Sequence, residues 1–215
     1  MSFLSLFQFA GLFLFVSLFA GVTLHLRKNK KINALKLNIA NKRIYGILEL
    51  SLIAVVTVWA LEVVMYAGDT GFRIFPSPFA WQLIHSAPLE IAGVALVILG
   101  FTICILALRA LGTSWRLGID ERTPGDLVTD GIYAISRNPI YLFFSLYFIG
   151  TFLINGTLIF LIFAAFVAAN LQLQIFEEEK FLAKTYGLAY QRYCAATRQY
   201  FTWQKLWHKQ ASFPS

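Results

Sequence analysis

The polar groups able to do chemistry in this 215-residue chain gather in two short stretches. The first is Arg137-Asn138-Pro139, set flush against the apolar run Ile140-Tyr141-Leu142-Phe143-Phe144, and the second is the acidic triplet Glu177-Glu178-Glu179. Ionisable residues inside or beside apolar spans are functional candidates by default, because taking charge out of water is expensive. Each stretch also has a purely local explanation. Asn138 suits the N-cap of a helix, Pro139 suits the first turn, where its missing N–H needs no partner, and Arg137 fits the excess of basic residues on the cytoplasmic side of membranes. The glutamates, with Lys180 beside them, suit a solvated acidic face where a helix leaves the bilayer. What favours function is their company. A loop with Leu111-Gly112-Thr113-Ser114-Trp115-Arg116-Leu117-Gly118 and Gly125-Asp126-Leu127-Val128-Thr129-Asp130-Gly131-Ile132-Tyr133 precedes the first stretch, and Leu182, Tyr186-Gly187, Tyr190, Tyr193 and Arg198 follow the second.

The elements that must position these groups are membrane spans. Hydrophobic residues make up 58% of the chain and charged residues 13%, with a mean hydropathy of +0.66. Soluble domains average about 45–50% apolar and about 25% charged. The net charge of +7 does not point to nucleic acid, because the basic residues lie between apolar runs and not on a solvated domain. A helical span takes about 20 apolar residues. Spans are expected from Phe3 to about His25, from Ile44 to Ala67 and from about Pro88 to Leu111. The first has no basic region before it and is too long for a signal sequence, so it reads as a retained helix. The tract from Pro139 to Phe176 is too long for one span, and the turn chemistry of Asn155-Gly156-Thr157 divides it into a tight helical hairpin. The expectation is an all-α polytopic membrane protein of five transmembrane helices and one domain, 1–215. Residues 1–111 would hold three helices, and 112–200 a loop, the hairpin and a cytoplasmic C-terminal helix.

Arg27, Lys28, Lys30, Lys31, Lys36, Lys42 and Arg43 crowd the first loop, whereas Gly68 to Ala87 holds only Arg73. The positive-inside rule then places the first loop, the loop from Gly112 to Asn138 and the tail after Phe176 in the cytoplasm, with the N-terminus outside.

Cys104 in the third span and Cys194 in the tail are too far apart in this topology for a disulfide, and no Cys/His cluster has metal-ligand spacing. His25, His85 and His208 fall at span ends or in the tail. Asn155-Gly156-Thr157 matches a glycosylation sequon but would form a very short turn at the membrane. Glu49 and Glu62 lie thirteen positions apart, which at about 100° per residue puts them near opposite faces of one helix. Glu90 follows Pro88 in a first turn, where a carboxylate complements the helix dipole.

The two stretches and their surroundings resemble the isoprenylcysteine carboxyl methyltransferase family and its bacterial relatives. The family pattern is LVxxGxYxxxRHPxY, a helical hairpin, then EExxLxxxFGxxYxxY. This chain reads LVTDGIYAISRNPIY and EEKFLAKTYGLAYQRY, so the resemblance covers about half of it, from Leu111 to Arg198. It implies an integral-membrane enzyme using S-adenosylmethionine, with the cofactor in a pocket made by the C-terminal half. Matched to the family, the cofactor contacts are Gly118, Gly125, Asp126, Leu127, Val128, Tyr133, Asn138, Pro139, Ile140, Tyr141 and the carboxylate of Glu178. Such a cofactor is a sulfonium carrying an ammonium group, so Glu178 would pair with positive charge and the rings of Tyr133 and Tyr141 would face it. Backbone groups of the glycine-containing loop and the helix start would orient its carboxylate.

Glu179, Gln174 and Arg137 are the candidate catalytic residues. An amine or thiol acceptor must lose a proton, and Glu179, with Glu49 behind it, is the candidate base; a carboxylate acceptor needs none. Gln174 stands where the prenylcysteine enzymes carry an arginine for the substrate carboxylate, and Asn138 stands where the family writes histidine, keeping hydrogen-bonding ability without titrating near neutral pH. The implied partners are the membrane and a hydrophobic or lipid-like acceptor arriving from it, with no nucleic acid and no metal. The motifs leave the oligomeric state open.

In the tail, Leu182, Tyr186, Ala189, Tyr190 and Tyr193 recur at helical spacing and read as a helix lying at the headgroups, continued by Tyr200, Phe201, Trp203 and Trp207 as an aromatic belt. Two alternatives stay open. Membrane sterol reductases share an Arg-His-Pro-x-Tyr segment and bind NADPH, although many follow that tyrosine with Gly-Glu where this chain has Leu142-Phe143. The other alternative is a non-catalytic membrane binding protein.

Overall fold

The structure is a computed structural model that describes residues 2–29, 43–114 and 125–202. Its elements are all helical. In chain order they are α1 (Phe3–Asn29), α2 (Arg43–Ala67), α3 (Ala87–Leu111), α4 (Pro139–Asn155), α5 (Leu158–Tyr186) and α6 (Leu188–Ala196), with short 3-10 turns at Gly112–Ser114 and Gly131–Ala134. Among the described residues, four helices are long and apolar enough to cross a membrane: α1, α2, α3 and α5. The fifth expected span, α4, is a shorter apolar helix of 17 residues.

Helix limits differ from expectation at two places, both for local reasons. α1 continues past His25 to Asn29, and its last turn carries Arg27 and Lys28, cations that suit a helix C-terminus. α5 does not end at Phe176. The segment Glu177 to Lys184 is rich in strong helix formers, and Lys180 pairs with Glu177 one turn away at 2.8 Å, so the helix runs on to Tyr186. It stops at Gly187, whose φ of +53° takes the chain out of the helical region.

The core is built around α3 and α4, which cross closely because glycines line the contact. A Cβ on Gly93 would fall 2.6 Å from the Gly150 carbonyl oxygen, and one on Gly150 would fall 2.7 Å from Val97 Cγ2. Small residues at a helix crossing let two backbones approach where lipid supplies no hydrophobic drive to association. Aromatic side chains then bridge the other helices to this pair: Phe15 of α1 lies against Phe143, Phe144 and Tyr147, and Trp59 of α2 against Tyr147 and Phe148. Trp59 Nε1 also donates to Thr151 Oγ1 at 3.3 Å.

The hairpin between α4 and α5 turns at Gly156, as the turn chemistry predicts, with φ +64°. Asn155 of the sequon donates its side-chain amide to Gln8 Oε1 of α1 at 2.7 Å, and Thr157 is buried. The chain between α2 and α3 folds over this turn. Glu49 and Glu62 are both buried in α2, which packs against α1 and α5. Glu62 accepts a hydrogen bond from the Ile74 backbone at 3.0 Å, and Glu90 lies 3.5 Å from His85. Lys30, Lys31, Lys36 and Lys42 of the first loop lie outside the described residues, as do Trp203, Trp207 and His208.

Candidate active site

The end of the bundle holding the C-terminus of α3, the N-terminus of α4 and the last turns of α5 collects most of the expected site residues. The two adjacent glutamates of α5 part company there. Glu178 accepts a hydrogen bond from the Tyr141 hydroxyl at 2.7 Å, joining α5 to the first turn of α4. It is half-buried, and among the described residues no lysine or arginine pairs with it. Tyr133, in the 3-10 turn ahead of α4, is buried; burial and the nearby Glu178 carboxylate push its phenol well above the ordinary tyrosine range.

Glu179, one residue on, faces a different group of partners. Its Oε1 receives Arg137 Nη2 at 2.8 Å, Arg137 Nε at 3.1 Å and Asn138 Nδ2 at 3.2 Å. Burial works against the guanidinium charge of Arg137, but the bond and attraction to Glu179 outweigh it and raise its pKa above the usual arginine value. The same guanidinium donates through Nη1 to the carbonyls of Thr197 at 2.8 Å and Cys194 at 3.4 Å. Arg137 and Glu179, two of the candidate catalytic residues, therefore form a clamp between the loop before α4, α5 and the end of α6.

Asn138 occupies the N-cap position and Pro139 opens the helix, yet Asn138 makes no side-chain cap. This departs from the local expectation, because its amide donates across the fold to Glu179 and to the Gln199 carbonyl at 3.3 Å. Its own backbone N–H is taken by Ser136 Oγ at 3.2 Å. Ser136 in turn donates to the Gln199 carbonyl at 3.1 Å.

These bonds belong to a strap that sequence reasoning missed. Residues 197–202 run back beside 135–138, with the Arg137 N–H donating to the Arg198 carbonyl at 3.1 Å and the Thr202 N–H to the Ile135 carbonyl at 2.9 Å. Tyr200 donates its hydroxyl to Gln172 Oε1 of α5 at 2.6 Å.

The tyrosine stripe assigned to the headgroups needs correction. Tyr190 and Tyr193 are buried and Ala189 is exposed. Gly187 ends α5 and resets the helical phase, so Leu182 and Tyr186 sit on one helix and the later residues on another. Tyr193 donates to the Tyr133 carbonyl at 2.7 Å, and Tyr186 donates to the Gly125 carbonyl. The signal for both was present in the second motif.

Gly125 packs at the end of α3, where a Cβ would meet Ser114 at 2.8 Å. Asp126, Leu127 and Val128 follow it with partial to full exposure, and Ile140 is half-buried beside Tyr141. Gly118 lies outside the described residues. Gln174 is buried one turn before Glu178 and donates to Asn170 Oδ1 at 2.6 Å. Asn170, also missed, reaches α2 through bonds to Ser51 Oγ at 2.8 Å and the Leu48 carbonyl at 3.2 Å. Both cysteines are free, and among the described residues no group of three or more His, Cys, Asp or Glu is placed to hold a metal ion.

A polytopic helical membrane protein with its polar machinery at one end of an α4–α5 hairpin is the class these observations define. Residues 89–189, just under half of the chain, match the family model described as phospholipid methyltransferase. The matched segment runs from α3 into α6; it contains the first stretch that resembles the isoprenylcysteine carboxyl methyltransferase family and the second as far as Ala189, so this part of the chain is similar to membrane methyltransferases. No curated protein and no solved structure matches the chain significantly.

Proposed function

We propose that this protein is an S-adenosylmethionine-dependent methyltransferase acting on a lipid-like acceptor, with its site where α4, α5 and the loop 125–138 meet. The carrying observation is the unequal state of two neighbouring carboxylates. Glu179 is neutralised by Arg137, whereas Glu178 is half-buried and, among the described residues, accepts a bond only from Tyr141 and has no cationic partner. A desolvated carboxylate left without a cation fits a ligand that brings one. The rings of Tyr133 and Tyr141 lie close to it, and aromatic faces favour positive charge.

Bound there, the sulfonium would supply an electrophilic methyl group. The residues of this chain would bind and align it: Glu178 its positive end, Gly125 to Val128 and Asn138 to Tyr141 its remaining groups. The clamp from Arg137 to Glu179 would hold the loop before α4 at a fixed distance from α5. Alignment of this kind contributes several kcal/mol to an in-line transfer. Gln174 and Asn170 lie one and two turns deeper, between α5 and α2, where a headgroup from the bilayer would meet them. With Gln174 in place of an arginine, the site lacks the fork that would hold a carboxylate acceptor bidentately. Arg137 directs its guanidinium to Glu179 and the tail carbonyls instead.

Calorimetric titration of the detergent-solubilised protein with S-adenosylmethionine, S-adenosylhomocysteine and NADPH tests this reading. Binding of the first two alone is expected, and Glu178→Ala is expected to abolish it. Binding of NADPH alone would overturn the methyltransferase reading, and full affinity in the variant would overturn the site.

A further inference from the structure

The end of the bundle opposite the candidate site carries an unusual loop. Residues 72–84 read FRIFPSPFAWQLI, with one charged side chain in thirteen. That charge is turned inward: the Arg73 guanidinium donates to the Met65 and Phe72 carbonyls and lies 4.1 Å from the centre of the Tyr66 ring. Large apolar side chains are turned outward instead. Trp81 is 68% exposed and Phe72 64%, and Phe79 and Leu83 are exposed with them.

The backbone of this loop is fastened to the turn between α4 and α5. The N–H groups of Leu83 and Ile84 both donate to the Gly156 carbonyl, at 2.8 and 3.1 Å. In return, Leu158 donates to the Trp81 carbonyl and Ile159 to the Phe79 carbonyl, each at 3.0 Å. Gln82 Nε2 completes the seam with the Asn155 carbonyl at 3.1 Å.

The length of α4 explains why such a seam is needed. Seventeen residues rise about 25 Å, less than the hydrocarbon thickness of about 30 Å, so the turn that closes α4 lies at or below the hydrocarbon edge. Irregular backbone at that depth is tolerated only when protein satisfies its polar groups. We propose that residues 72–84 form an interfacial wedge, in which the loop caps the hairpin turn on one side and inserts Phe72, Phe79 and Trp81 into the bilayer on the other. The occupant of this exposed aromatic face is lipid at the boundary between headgroups and acyl chains, where tryptophan is enriched. The wedge does not depend on which reaction the opposite end performs.

Site-directed spin labelling in proteoliposomes tests it, with Cys194→Ser removing the accessible native thiol while Cys104 stays buried. Labels at Phe72→Cys, Phe79→Cys and Trp81→Cys are compared for collision with oxygen and with a water-soluble nickel chelate. Ile91→Cys on the exposed apolar face of α3 gives the lipid reference, and Asp69→Cys gives the aqueous one. The wedge predicts oxygen-to-nickel ratios at 72, 79 and 81 close to that of position 91 and several-fold above that of position 69. Ratios equal to that of position 69 would overturn it.

Discussion

Arg137 Nη2 stands 2.8 Å from Glu179 Oε1, a contact between residues 42 positions apart that fastens the loop before α4 to α5. Because that cation is committed to Glu179, the carboxylate next to it, Glu178, is left to Tyr141. Two adjacent residues of identical type thus acquire different tasks from their partners alone.

Arg137→Ala removes three donors from this corner and leaves Glu179 beside Glu178 without a cation. Exposed pairs contribute under about 1 kcal/mol and buried pairs cost about 3–5 kcal/mol when one partner is lost; this pair is mostly but not fully buried, so about 2 kcal/mol is expected. Thermal unfolding in detergent measures it. Glu179→Gln, which keeps an acceptor for Arg137, should lose less.

Tyr186→Phe deletes only the hydroxyl that holds the Gly125 carbonyl. A net hydrogen bond of about 0.5–1.5 kcal/mol corresponds to a loss of about twofold to tenfold in S-adenosylmethionine affinity, with the unfolding temperature nearly unchanged. Calorimetry on the two proteins compares them directly. Unchanged affinity would remove Tyr186 from the site.

Gly156→Ala meets two obstacles, a φ of +64° and a Cβ that would collide with the Ile84 carbonyl oxygen. Gly71, with φ +71° and open space around its Cβ position, separates them. Gly71→Ala should cost about 1 kcal/mol, the left-handed penalty, whereas Gly156→Ala should cost clearly more because the seam must part. Chemical denaturation of the two variants in matched micelles is the measurement, and equal costs would contradict the close approach.

Asn170→Leu breaks the tie between α5 and α2 and strands the Gln174 amide in a buried place, which should cost about 1–3 kcal/mol. Adding Gln174→Leu removes the stranded group, so the double variant should be more stable than Asn170→Leu alone. A double variant less stable than either single one would show that Gln174 has a further partner that matters more than Asn170.

The helices were legible from local chemistry: apolar runs of span length, Pro139 at a helix start, and a turn at Asn155-Gly156-Thr157. The matched motifs also pointed to Glu178 and Tyr141, which the fold does bring into contact. Local rules failed where a group found a better partner far away. Asn138 looks like a cap from its neighbours, but its amide serves Glu179 and Gln199. Tyr190 and Tyr193 look like a membrane face from their spacing with Leu182, but Gly187 breaks that spacing and turns them inward.

By itself, then, the sequence determined an all-helical membrane protein, its hairpin and the likeness to phospholipid methyltransferases between α3 and α6. All of these depend on residues within a few turns of one another or on a contiguous pattern. Only the tertiary structure decided which of Glu178 and Glu179 is neutralised, that residues 197–202 strap the loop before α4, and that the Phe79–Ile84 backbone closes the hairpin turn. Those outcomes join positions tens of residues apart, and they follow from where helix phase and hairpin register bring the donors, which no local spacing encodes.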